Sequence, residues 1–117
     1  MNSKEKLAIA VKAGNEKLAD NIVALDVNEI SYLADYFLFL NGGSKRQVQA
    51  IVENILDKEA ENGVFTKQVE GRSEGTWTLL DFGDLIVHVF QEETRNYYNL
   101  EKLWASAKSV DLSDWLD

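Results

Sequence analysis

Asp35-Tyr36-Phe37-Leu38-Phe39-Leu40-Asn41-Gly42-Gly43-Ser44 is the stretch that decides the fold. From Tyr36 to Leu40 every residue is apolar. A strand with one wet face alternates, so an unbroken apolar run of this length predicts a strand buried on both sides. Asn41-Gly42-Gly43 breaks the strand, and Ser44 is a good N-cap for a helix starting just beyond it. Val48, Ile51, Val52 and Ile55 then mark one stripe of that helix, with Arg46, Gln49, Glu53 and Asp57 on other faces. Asn62-Gly63 closes it as a glycine stop. A strand, a turn and a helix followed by more strands require a crossover, hence a mixed sheet with helices packed on it.

Upstream of that stretch, Leu7, Val11, Gly14 and Leu18 recur at helical spacing over the first twenty residues. Gly14 inside that pattern points to close packing or a weak point. Asn21 opens a β-rich run, NIVALDV, and Ser31–Ala34 reads as a brief turn. Downstream, residues 64–69, 76–81 and 85–90 read as three strands joined by the turns at Gly71–Gly75 and Phe82-Gly83-Asp84, an antiparallel meander. Thr94 is expected to cap a last helix with the stripe Tyr97, Leu100, Leu103, Trp104 and Ala107. Residues 1–107 thus predict a single α/β domain of about five strands in the order α-β-β-α-β-β-β-α, with 108–117 as an apolar but acidic tail. With only three helices to cover it, one sheet face is expected to be incompletely shielded.

The chain has 117 residues and a net charge of −8. That length suits one domain, which buries roughly 65% of its unfolded surface without staples. Absence of cysteine removes disulfides, thiolate metal sites and cysteine nucleophiles, and fits a reducing, cytoplasmic setting. No apolar run approaches the ~20 residues that span a bilayer, and the N-terminus makes a poor signal peptide. The first twenty residues sum to +1 and residues 92–117 to −3, so no segment is a basic patch. Phosphate backbones should be repelled, which leaves little direct nucleic-acid contact and favours a basic protein as partner.

Chemical motifs are thin. Asn41-Gly42-Gly43-Ser44 can cradle a phosphate at a helix N-terminus, but it lacks the lysine of a P-loop and the third glycine of a dinucleotide fingerprint, so a turn and N-cap explain it better. Asp81 and Asp84 invite a magnesium-dependent nucleotidyl-transfer reading. Carboxylates that share a metal on one strand need a spacing of two, and these are three apart across Phe82-Gly83; Asp84 is expected to stabilise that turn instead. His88 is the only histidine and has no nucleophile-elbow motif to serve. No cofactor, metal site or catalytic residue is expected.

The aromatic set is more informative. Trp77, Leu79 and Asp81 alternate onto one face of their strand, and Ile86, His88 and Phe90 onto one face of the next. Trp77 and Phe90 are either core or anchors of an interface with a basic partner.

Asp35-Tyr36-Phe37, Gly43-Ser44 with Arg46-Gln47-Val48, Glu70-Gly71, and above all Gly75-Thr76-Trp77-Thr78-Leu79-Leu80-Asp81-Phe82-Gly83-Asp84-Leu85-Ile86-Val87-His88-Val89-Phe90 resemble the ribosomal silencing factor family (RsfS, or Iojap-like). Arg95-Asn96-Tyr97-Tyr98-Asn99-Leu100-Glu101-Lys102-Leu103-Trp104 continues the likeness, which spans about Leu7 to Ala107. Gly42-Gly43-Ser44 departs from it, since a threonine often stands between the glycine and the serine. The resemblance implies a non-enzyme with a nucleotidyltransferase-like fold that lacks the catalytic carboxylates. It implies binding to the large ribosomal subunit through ribosomal protein L-fourteen, blockage of subunit joining, and repression of translation under nutrient limitation. It also implies a homodimer when free. Trp77, Leu79, Asp81 and His88 from the sheet, with Tyr98 and Glu101 from the last helix, are the expected partner-binding residues. The competing expectations are a magnesium-dependent nucleotidyltransferase and a dimeric adaptor for another basic protein.

Overall fold

Local chemistry starts the first helix. Asn2 accepts the backbone N–H of Glu5 on its side-chain oxygen at 2.8 Å, and Glu5 accepts the Asn2 N–H in return, a capping box that opens α1 (Ser3–Glu16). The computed structural model describes residues 1–98, 102 and 105–116. After α1 come β1 (Asp20–Asp26), β2 (Tyr36–Gly42), α2 (Lys45–Glu61), β3 (Gln68–Glu70), β4 (Trp77–Asp81), β5 (Leu85–Gln91), α3 (Glu92–Tyr98) and β6 (Lys108–Ser109). The strands form one sheet in the order β3-β4-β5-β2-β1-β6. Only β2 and β5 run parallel; every other pair is antiparallel. The crossover between β2 and β5 carries α2, as the apolar run and its glycine break require.

β2 is buried on both sides from Phe37 to Gly42. Leu38 and Leu40 join Leu80, Val87 and Val89 under α1 and α2, which supply Leu7, Val11, Val48, Ile51 and Ile55 to the same core. Phe37 and Phe39 turn to the other face, with Leu25, Val27, Ala34 and Phe90. Gly14 is where α1 meets β2: a Cβ there would lie 2.4 Å from a Leu40 methyl. Asn54 of α2 ties the helix pair by donating to the Ala13 carbonyl at 2.8 Å.

Ser44 caps α2, accepting the Gln47 N–H at 3.1 Å, and the Gly43 N–H is taken by the Gln47 side chain at 2.7 Å. The glycine turn therefore spends its donors on the chain itself. Several expectations need correction. Strand β3 pairs only over 68–70, because Val64 turns into the core at the end of α2 while Phe65 stays exposed. α3 starts at Glu92 with no break after β5, so Thr94 lies inside the helix and does not cap it; Glu92 and Glu93 supply the negative charge that suits its first turn. Tyr97, expected on the buried stripe, is 83% exposed. Leu100, Leu103 and Trp104 of that stripe fall outside the described residues.

A sixth strand extends the sheet beyond the five expected. Lys108 and Ser109 pair with Asp26 and Leu25, the Val110 N–H bonds to the Ala24 carbonyl at 2.9 Å, and Leu112 is buried in the helix-side core. Residues 108–110 of the expected tail are thus docked on the sheet edge, and Leu112, Trp115 and Leu116 pack into the helix-side core. Two residues of strand are too short to show alternation.

Candidate docking surface around Trp77

Turn chemistry places the site. Gly71 has φ +76°, and a Cβ there would sit 2.1 Å from the Trp77 carbonyl oxygen, so only glycine lets the β3–β4 turn fold so closely over the start of β4. At the other end of β4, the Asp81 carboxylate accepts the Gly83 N–H at 2.8 Å. Asp81, not Asp84 as expected, is the residue that holds this turn. Asp84 pairs with Lys6 of α1 at 2.9 Å, and its carbonyl accepts the backbone N–H groups of Asp35 and Tyr36. The two carboxylates are therefore committed to separate structural tasks. Among the described residues no group of three or more His, Asp or Glu side chains is placed to hold a metal ion.

Between these turns, β4 and β5 pair so that Trp77 faces Phe90, Leu79 faces His88 and Asp81 faces Ile86. All six share the sheet face opposite α1 and α2. Trp77, Leu79 and Asp81 are half-buried, whereas His88 is 8% exposed. The Trp77 ring stacks on Phe90 with centroids 5.2 Å apart, and the His88 ring stacks on Phe39 at 5.0 Å. Trp77 Nε1–H donates to His88 Nδ1 at 3.1 Å, so that nitrogen is an acceptor and the ring is neutral. Burial holds the imidazole at about 4, well below its ordinary value of 6.5. His88 therefore serves the tryptophan as an uncharged acceptor through the physiological range.

The structure brings Trp77, Leu79, Asp81 and His88 onto one sheet face, but only the first three reach the surface there; His88, expected to touch the partner, is buried and acts as the support for the Trp77 ring. Tyr98 is the last residue of α3, and its side chain lies outside the described residues; so does Glu101. Sequence reasoning passes over Arg95. It is buried, and its guanidinium donates to the Asn21 carbonyl and to the Asn41 side chain, clamping α3 to the ends of β1 and β2. A polar Asn41 closing an apolar strand is the available signal. Glu93, Thr94 and Tyr97 are likewise missed as surface: with Glu74, Thr76 and Trp77 they line a cleft of about 420 Å³.

A family model described as ribosomal silencing factor during starvation matches residues 1–117. The chain belongs to that family. The ribosomal silencing factor RsfS of Bacillus subtilis is 51% identical over 112 residues, covering 96% of this chain and 95% of that protein. The chloroplastic Iojap protein of Zea mays is 36% identical, covering 92% of this chain and 48% of that one. A crystal structure of a Bacillus halodurans protein superposes with a TM-score of 0.84 at 43% identity, covering 94% of this chain and all of that one. The family membership reaches through the docked segment 108–116, beyond the span in which the sequence itself showed the likeness.

Proposed function

We propose that this chain binds the large ribosomal subunit through ribosomal protein L-fourteen and, by its bulk, keeps the small subunit from joining, so that translation falls when nutrients are scarce. The observation that carries the proposal is the Trp77 strand. In a chain of net charge −8 it presents a half-buried tryptophan, braced from behind by Phe90 and His88. A braced aromatic loses little side-chain entropy on docking, which is why tryptophan is favoured at the centre of interfaces. Membership of the silencing-factor family and the names of its relatives support the ribosomal destination.

The action is steric rather than catalytic. Relatives are named as silencing factors, and the carboxylates that would serve nucleotidyl transfer are spent on a turn and on Lys6. Asp81 and Glu101 contribute charge toward a basic partner and mainly steer association. The protein works in the cytoplasm; among the described residues no helix is long and apolar enough to cross a membrane. Free chains pair into homodimers, for which the exposed Ile30, Tyr32 and Leu33 of the β1–β2 loop supply apolar surface.

The test is a sucrose-gradient profile of purified large subunits incubated with the protein, followed by addition of small subunits. Co-sedimentation with the large subunit and a loss of joined particles is the expected outcome. Normal joining in a saturating excess of protein would refute the proposal. Trp77→Ala, shown to be folded, should release the protein from large subunits.

A further inference from the structure

Gln91 ends β5 by donating its backbone N–H to the Thr76 carbonyl at 2.9 Å, while its side-chain amide donates to the Gly75 carbonyl at 3.2 Å. Those two bonds pin the start of β4 beside the start of α3, which follows Gln91 without a linker. Glu93 and Tyr97 lie four apart on α3 and so share one side of the helix. The result is the cleft of about 420 Å³, walled by Trp77 and Tyr97 and flanked by Glu74 and Glu93.

Its chemistry is one-sided. Among the described residues no lysine or arginine lines it, and Lys45, whose stem lies against Gly75, is not part of its wall. Among the described residues neither Glu74 nor Glu93 has an ion pair or a hydrogen-bond partner for its carboxylate. Two aromatic rings with two unpaired carboxylates are the combination that receives a cationic side chain, because the ring faces carry negative charge density and the carboxylates accept its N–H groups. A planar guanidinium fits such a cleft better than an ammonium, since it can stack on a ring and still present its donors in plane.

We infer that this cleft is a receptor for one arginine or lysine side chain of the protein partner, and that it sets which basic protein is accepted. The inference rests on the proposed ribosomal docking and adds the residues that select the partner. Phosphate backbone is excluded as occupant by the same carboxylates that attract the cation.

The experiment measures binding of the full chain to purified large ribosomal subunits over a range of salt concentrations. The variants are Glu74→Gln with Glu93→Gln, Tyr97→Ala, and Asp57→Asn on the exposed side of α2 as control. Glu74, Glu93 and Tyr97 are exposed, so the variants keep the fold, which circular dichroism verifies. The double variant and Tyr97→Ala should each weaken binding by about tenfold, the double variant with a shallower salt dependence, and Asp57→Asn should change it less than about twofold. Losses below about fivefold in the double variant or in Tyr97→Ala overturn the inference while leaving the ribosomal docking standing. Tighter binding by the double variant also overturns it and would assign the contact to RNA. Failure of the unaltered chain to bind removes the docking proposal itself, and the inference with it.

Discussion

Beneath α1 and α2 the sheet buries aliphatic side chains and a carboxyl, Glu59, which is fully buried with no hydrogen-bond partner for either oxygen. On its opposite face the sheet buries phenyl rings and an imidazole, His88, which does have a partner in Trp77. Desolvation penalises the charged form of both groups, yet it moves them in opposite directions. Glu59 is pushed up from 4.5 to about 8 by burial, with Lys6 pulling it down and Asp84 pushing it up more weakly. His88 is pulled down from 6.5 to about 4 by burial. Each face thus holds a neutral titratable group, and the two are exposed to failure at opposite ends of the pH scale. The aliphatic face is a core; the aromatic face is a core that opens at β4, where Trp77, Leu79 and Asp81 stay half-exposed.

Neighbouring residues on β2 test whether both faces are core. Leu38→Ala removes a side chain from the helix face and Phe39→Ala one from the aromatic face; each should cost about 3–5 kcal/mol in denaturant unfolding. A Phe39→Ala loss below about 1 kcal/mol would show that the aromatic face does not bear the fold.

The pH limbs separate the faces more finely. Folded Glu59 keeps its proton up to about 8, whereas the unfolded chain releases it near 4.5, so stability should fall as pH rises between those values. Glu59→Gln should flatten that limb, gaining on the order of 3 kcal/mol on the parent at pH 8 relative to pH 4.5. Folded His88 refuses a proton that the unfolded chain binds near 6.5, so stability should fall as pH drops from there toward 4. His88→Gln should lose less on that limb, by on the order of 2 kcal/mol, in urea titrations at matched pH. Parallel profiles for either variant and the parent would break the contrast. The smallest effect belongs to the turn that frames the surface: Asp81→Ala should cost about 1 kcal/mol, against less for Asp81→Asn, which keeps the acceptor.

Much of this is legible one element at a time. Ser44 and Gly63 bound α2 because a cap answers to residues within one turn of itself, and Tyr36–Leu40 announces a central strand because burial on both sides leaves no polar position. The alternation in β4 and β5 is enough to place Trp77, Leu79, Asp81 and His88 on one face. Glu59 escapes such reasoning although it stands four residues beyond Ile55 on the buried stripe of α2. Its burial is costly enough that a charged residue at that spacing reads as a helix end rather than as core.

Where the sequence alone sufficed, the deciding interactions were short in chain distance: caps, glycine turns, strand alternation, the crossover around α2, and the long strings that carry family membership. Contacts between distant segments settled the rest. Which aspartate holds the β4–β5 turn depended on Lys6 reaching Asp84 from α1. Whether residues 108–116 hang free depended on an open edge at β1, and whether Tyr97 is core or cleft wall depended on how Gln91 and Arg95 seat α3. A side chain's neighbours along the chain dictate its backbone geometry, but only the packing of remote elements decides which of its sides meets water.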